Sequence, residues 1–82
     1  MGSVLGFPGV DPVDAAIGAR LKRWRKERAV EVETLAEALR ISPETVRRVE
    51  AGRAHLTSNQ LGAATAHLHL PLWALVSDRP AY

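Results

Sequence analysis

Four arginines lie close together in the middle of the chain, at Arg40, Arg47, Arg48 and Arg53. The guanidinium group is always charged, and it donates hydrogen bonds in a planar fork that fits phosphate oxygens and the O6–N7 edge of guanine. Residues 20–53 hold ten of the eleven basic residues and six of the nine acidic ones, although the formal net charge of the chain is only +2. This concentration of positive charge favours a surface that binds a polyanion. An ordinary solvated helix surface is the alternative.

Residue types that carry catalysis or bind metals are poorly represented. The chain has no cysteine, which excludes disulfides and thiolate metal sites and is typical of a reducing compartment. His67 and His69 are two residues apart, so a helix would direct them to different faces, and no third ligand accompanies them. The sequence contains neither a Gly-x-Ser-x-Gly turn nor a glycine-rich phosphate loop. We therefore expect no enzyme activity, no metal and no cofactor.

Length and hydropathy indicate one small domain inside the cell. The 82 residues provide for a single domain, and no apolar run approaches the roughly 20 residues that a membrane span requires. The basic start and long apolar stretch of a signal peptide are missing. We expect a cytoplasmic, nucleoid-associated protein without membrane contact. Because no sensing domain follows the helices, we expect no small-molecule ligand.

The first part of the chain predicts a flexible arm followed by a long helix. Residues 1–10 contain three glycines, one proline and no charge, which is typical of a flexible arm. Asp11 as N-cap and Pro12 at the first helical position then predict a helix that ends near Arg28. Its inner face is formed by apolar residues at helical spacing, which are Val13, Ile17, Leu21 and Trp24.

Two helices are predicted to meet at a tight bend in the middle of the chain. Apolar periodicity predicts a helix over 32–39. Ser42 as N-cap predicts the next helix over about 43–51, which Gly52 would end in the left-handed conformation. So short a connection makes the two helices cross steeply, and Ala36 supplies the small side chain that the crossing needs. The outer face of the later helix then carries Glu44, Thr45, Arg47 and Arg48.

Two further helices complete the prediction. Thr57 begins a capping box that predicts a fourth helix, and Pro71 opens a short fifth helix over 72–76. Every predicted element is helical. The expected fold class is all-α, a compact five-helix bundle over residues 11–77, followed by a loose tail over 78–82.

The bend and its surroundings resemble the Cro and phage-repressor family of helix-turn-helix proteins, often called the XRE family. The matching positions are Ile17-Gly18, Leu21, Arg25, Leu35-Ala36, Leu39, Ile41-Ser42, Thr45-Val46, Val49-Glu50, Gly52, Leu61, Ala64 and Leu68. The resemblance implies five helices, a helix-turn-helix at about 32–51, and a recognition helix at about 43–51 in the major groove of double-stranded DNA. It also implies an interior ion pair between Arg25 and Glu50.

These expectations assign roles to the polar side chains around the third helix. Base readout is assigned to Glu44, Thr45, Arg47 and Arg48. Phosphate contact is assigned to Arg40, Ser42, Arg53 and His55. Phosphate contact alone is the alternative for Arg47 and Arg48, and an idle loop position is the alternative for His55. For Thr45, the alternatives are a phosphate contact or support of the helix start.

The fifth helix carries more apolar surface than one small domain readily covers, at Leu72, Trp73 and Val76. We interpret it as a homodimer interface, because two copies would read half-sites one DNA turn apart. Packing inside the domain is the alternative. The predicted function is therefore sequence-specific DNA binding as a homodimeric transcriptional regulator, by preference a repressor.

Departures from the family pattern leave a second function open. Val32 stands where family members usually carry a Gln that holds a phosphate, and Arg40 stands where a glycine is usual in the bend. In the left-handed conformation, a residue such as Arg40 costs about 1 kcal/mol. Pro43 cannot hydrogen-bond to a base edge, and Glu44 repels phosphate as readily as it accepts from cytosine. The alternative is a protein-interaction adaptor or antitoxin-like module, although the arginines around one helix favour DNA.

Overall fold

The computed structural model describes residues 11–76, and every regular element among them is helical. Helix α1 spans Pro12–Glu27, α2 spans Val32–Leu39, α3 spans Pro43–Glu50 and α4 spans Ser58–His67, and a 3₁₀ turn follows at Leu72–Leu75. None of these helices is both long and apolar enough to cross a membrane. The all-α class is confirmed. The predicted arm, 1–10, and tail, 78–82, lie outside the described residues.

The predicted fifth helix over 72–76 is wrong. The segment forms one 3₁₀ turn, Leu72–Leu75, in which the backbone N–H of Ala74 donates to the carbonyl of Pro71 three residues earlier. So short a segment closes few α-helical hydrogen bonds, and 3₁₀ geometry uses the same residues in one tighter turn. The described fold therefore has four α-helices with a 3₁₀ turn after α4, and this turn packs on α1 and α4.

Local capping explains where three of the four helices begin. The Asp11 carboxylate accepts from the N–H two residues ahead at 2.8 Å, and the Ser42 hydroxyl accepts from the N–H three residues ahead at 3.0 Å. Thr57 and Gln60 form the predicted capping box, with hydrogen bonds of 3.1 and 2.9 Å. No side chain caps α2 at Glu31, so that helix depends on its packing rather than on its start.

Each helix is followed by a residue with a left-handed backbone. These residues are Ala29 (φ 55°), Arg40 (φ 59°), Gly52 (φ 79°) and His69 (φ 58°). After Arg40, for example, the N–H of Ile41 returns to the carbonyl of Ala36 at 3.0 Å, which is the pattern of a Schellman motif. Glycine adopts this conformation without penalty, whereas other residues lose about 1–2 kcal/mol. The predicted conformations of Arg40 and Gly52 are confirmed.

The core receives side chains from all five elements. The largest fully buried ones are Leu21, Leu35, Val46, Val49, Thr65, Leu68 and Leu75. The prediction that Val13 belongs to the inner face of α1 is wrong, because this side chain is 64% exposed. Val13 lies in the first turn of α1, where no described element covers it, and the apolar face that packs against the core begins one turn later at Ile17.

Candidate nucleic-acid interface

Helix α3 is held against α1 by a close approach of the two backbones at Gly18. A Cβ atom on this glycine would lie 2.0 Å from the carbonyl oxygen of Val49, so no other residue fits without moving α3. Just beyond α3, a Cβ atom on Gly52 would lie 2.9 Å from Cα of Ala15. The two glycines therefore allow the end of α3 to pack directly on α1.

A bidentate ion pair strengthens the same contact. Arg25 donates to Glu50 from Nε at 2.7 Å and from Nη2 at 3.2 Å, and its Nη1 donates to the carbonyl of Val30 at 2.9 Å. The two side chains are only 11% and 6% exposed. The hydrogen bond with Glu50 raises the pKa of Arg25, so the pair favours the charged form of a guanidinium that is already charged at physiological pH. The structure thus brings together the two residues of the implied ion pair, and they join α1 to the last residue of α3.

The bend between α2 and α3 leaves one face of α3 exposed. Ala36, only 2% exposed, belongs to the buried core on α2, and Val46 and Val49 bury the inner face of α3. Arg40 turns the chain between the two helices with φ 59° and ψ 43°. The opposite face of α3 presents Glu44, Arg47 and Arg48, all of which are exposed.

Two hydroxyl groups assigned to DNA contacts already have partners within the helix start. Ser42 Oγ accepts from the backbone N–H of Thr45 and lies 2.8 Å from Oγ1 of the same threonine. Thr45 is half-buried, whereas Ser42 and Glu44 are exposed. Both residues therefore stabilise the first turn of α3. Any contact of their hydroxyl groups with DNA would be made by groups that already form these hydrogen bonds.

Glu33 belongs to the same surface, although the sequence analysis assigned it no role. Arg47 Nη2 lies 3.3 Å from Glu33 Oε2, and the two side chains are 58% and 64% exposed. The two residues are fourteen positions apart, so the i,i+4 rule for one helix gives no signal for their pairing. The available signal was the opposite charge on the outer faces of two helices that were predicted to cross.

The remaining phosphate-contact candidates lie at the two ends of α3. Arg40 is exposed in the bend before α3, and Arg53 is exposed directly after Gly52. His55 is 77% exposed, and its Nδ1 lies 3.7 Å from Oδ2 of Asp14. That carboxylate competes with a phosphate for the imidazole, so the structure favours the two arginines over His55 for this role.

Of the three residues predicted to form the dimer interface, two are exposed and one is half-buried. Leu72 is 72% exposed and Val76 is 52% exposed, whereas Trp73 is half-buried. Between them, Ala74 and Leu75 pack into the core. The 3₁₀ turn therefore packs on the core through Ala74 and Leu75, while Leu72 at its start and Val76 directly after it stay exposed.

The two histidines near the end of α4 are separated by the turn of the chain. His67 is the last residue of α4, and His69 follows in the left-handed conformation, with both side chains exposed. Among residues 11–76, no three His, Cys, Asp or Glu side chains are grouped in a way that could hold a metal ion.

Comparison with known proteins points to the same part of the chain. The sequence profile of a family described as a helix-turn-helix domain matches residues 16–72. Two crystal structures of the clp gene regulator ClgR from Corynebacterium glutamicum are similar, each with 30% sequence identity over 77% of this chain. Their TM-scores are 0.74 and 0.71, and the matches cover 67% and 82% of those chains. No protein with a curated description matches this chain.

Proposed function

This chain belongs to the helix-turn-helix domain family, and we propose that it is a transcriptional regulator that inserts α3 into the major groove of double-stranded DNA. The observation that carries the proposal is the division of α3 into two faces. Val46 and Val49 are buried, whereas Glu44, Arg47 and Arg48 are exposed. A helix presented in this way fits a groove roughly 12 Å wide, in which each base pair displays a distinct pattern of donors and acceptors.

The polar side chains around α3 divide into a base-reading set and a phosphate-binding set. Arg47 and Arg48 donate to the O6–N7 edge of guanine, Glu44 accepts from a cytosine amino group, and Thr45 contacts a thymine methyl group. The phosphate-binding set lies at the two ends of the helix. Arg40 and Arg53 supply its charge, and Ser42 and His55, which already have partners in the protein, make secondary contacts. Contacts at both ends would fix the register of α3 along the groove.

We propose that two copies act together as a repressor. The exposed side chains of Leu72 and Val76, with the half-buried Trp73 between them, supply the apolar contact. A two-fold dimer presents two α3 helices about 34 Å apart, which is one turn of DNA. A dimer that occupies such a site excludes other proteins from it, and repression follows from that exclusion. ClgR, a structural relative, is itself described as a gene regulator.

Selection of binding sites from random duplex DNA, at two salt concentrations, tests the DNA-reading role. We expect a palindromic motif with half-sites about 10 base pairs apart. Arg47→Ala and Arg48→Ala should relax the motif, whereas Arg53→Ala should preserve the motif and reduce the salt slope by about 1. Arg23→Ala is the matched control, because it removes the same charge from an exposed position on α1. If no motif is enriched and binding vanishes at moderate salt, the proposal is refuted, and the search should move to a protein partner for α3.

The dimer is tested separately by sedimentation equilibrium. Leu72→Asp and Val76→Asp should convert the dimer to a monomer that selects a single half-site. Val13→Asp is the control, because Val13 is similarly exposed, at 64%, but lies on α1. An unchanged mass for both Asp variants of the 3₁₀ turn would exclude this surface as the interface.

A further inference from the structure

Two neighbouring arginines of α3 differ in their surroundings. Arg47 and Arg48 are both exposed, but only Arg47 forms an ion pair with another described residue, Glu33 of α2. Glu44 lies three and four residues before them, a spacing at which side chains on one helix can pair. Neither arginine pairs with it within residues 11–76. Arg47 therefore has a charged partner across the bend, and Arg48 has none among residues 11–76.

We infer that Glu33 is a positioning residue that makes Arg47 the specificity-determining cation of α3. The inference rests on the proposed DNA-binding function. A guanidinium has five N–H donors, so the contact of Nη2 with Glu33 at 3.3 Å leaves donors for a base edge. An arginine side chain loses much rotamer freedom when it binds, and a contact that favours the binding rotamer reduces this loss. Arg48 has no such contact, so its side chain can adopt the rotamer that binds the nearest phosphate or base.

The environment of the pair determines what it contributes. In the free protein both side chains are more than half exposed, at 58% and 64%, and an ion pair of this kind contributes little. In a groove from which water is excluded, the effective dielectric constant falls and the same pair becomes stronger. The carboxylate of Glu33 also repels DNA phosphates of every sequence. Glu33 should therefore narrow the choice of base pair at Arg47 and lower the affinity for all DNA.

A pair of charge-matched variants separates positioning from general electrostatics. Glu33→Gln removes the charge that contacts Arg47, and Glu37→Gln removes the same charge from an exposed position of α2 that forms no ion pair within residues 11–76. Both variants should bind random DNA more tightly. Only Glu33→Gln should lower discrimination at one base pair of each half-site. The expected loss is about 1.4- to 5-fold, the factor that corresponds to the free energy of an exposed ion pair.

The decisive measurement is the selected motif of the wild type, of both Gln variants, and of Arg47→Ala with and without Glu33→Gln. The inference predicts that Glu33→Gln changes the motif in the wild-type background and has no further effect once Arg47 is alanine. An unchanged motif in Glu33→Gln, or an effect that persists without Arg47, would overturn the inference and leave the DNA-binding function standing. Failure of the wild type to select any motif would overturn both.

Discussion

Replacing Arg40 by glycine separates a conformational role from an electrostatic one. Arg40 follows α2 with φ 59° and ψ 43°, a left-handed conformation that costs a non-glycine residue about 1–2 kcal/mol. Glycine avoids this cost. Its greater freedom in the unfolded chain lowers the free energy of unfolding by about 0.4–1 kcal/mol, so part of the gain is lost. We therefore expect Arg40→Gly to increase the free energy of unfolding by about 0.5–1 kcal/mol. For a domain of this size, the corresponding rise in Tm is about 2–8 °C.

The same substitution removes a cation from the bend before α3. If Arg40 contacts a phosphate, its loss should weaken binding to all DNA sequences and reduce the slope of log K against log salt by about 0.9. Ala29→Gly is the matched control, because Ala29 has φ 55° after α1 and carries no charge. It should stabilise the domain by a similar amount and leave DNA binding unchanged.

Two assays on the two glycine variants decide between these effects. Urea titration followed by tryptophan fluorescence gives the free energy of unfolding, and anisotropy of a labelled duplex at several salt concentrations gives the affinity and its salt slope. A more stable Arg40→Gly protein with unchanged DNA affinity would refute the phosphate contact. If Ala29→Gly stabilises the domain and Arg40→Gly does not, the strain argument fails at Arg40, and its side chain must stabilise the bend in another way.

Three further predictions concern stability and are measured by urea titration. Gly18→Ala should destabilise the domain by about 3 kcal/mol, because the new Cβ would lie 2.0 Å from a carbonyl oxygen of α3; a loss below about 1 kcal/mol would contradict this close approach. Arg25→Met should cost about 3–5 kcal/mol by leaving Glu50 buried without its partner, and adding Glu50→Met should recover most of that loss. Equal losses in the single and double variants would show that packing, not charge, is responsible. Thr57→Ala should cost about 1 kcal/mol through loss of the N-cap, whereas Ser58→Ala, one residue on, should cost much less.

The helix starts could be predicted because their causes are local. Ser42 and Thr57 accept hydrogen bonds from N–H groups three residues ahead, so both ends of each interaction lie within one short segment of sequence. The left-handed turn at Gly52 has the same local origin. The left-handed conformation of Arg40 could not be predicted in this way, because arginine has no local preference for it. Its prediction depended on the resemblance to a family in which glycine is usual at that position.

The features that could not be predicted depend on elements far apart in the sequence. The pairing of Arg47 with Glu33 requires the crossing angle of α2 and α3, and apolar periodicity does not supply an angle. Val13 fits the periodicity of α1, but it extends beyond the elements that cover this helix and is 64% exposed. The segment after Pro71 was predicted as α-helix because a proline start does not distinguish an α-helix from one 3₁₀ turn. In each of these three cases, packing between elements determined a feature that the local sequence pattern did not specify.

The residues that attach α3 to the rest of the domain differ from those on its exposed face, and this separation matters for the proposed DNA binding. The contacts that hold α3 lie at its end, where Gly18 admits the backbone at Val49 and Arg25 pairs with Glu50. None of these groups lies on the exposed face. Under the proposed function, a substitution on that face, for example at Glu44, should change which DNA sequence α3 reads without changing how α3 is held. Arg47 is the exception, because its partner Glu33 lies on α2. If Arg47 reads a base pair, as we propose, that reading depends on both helices of the bend.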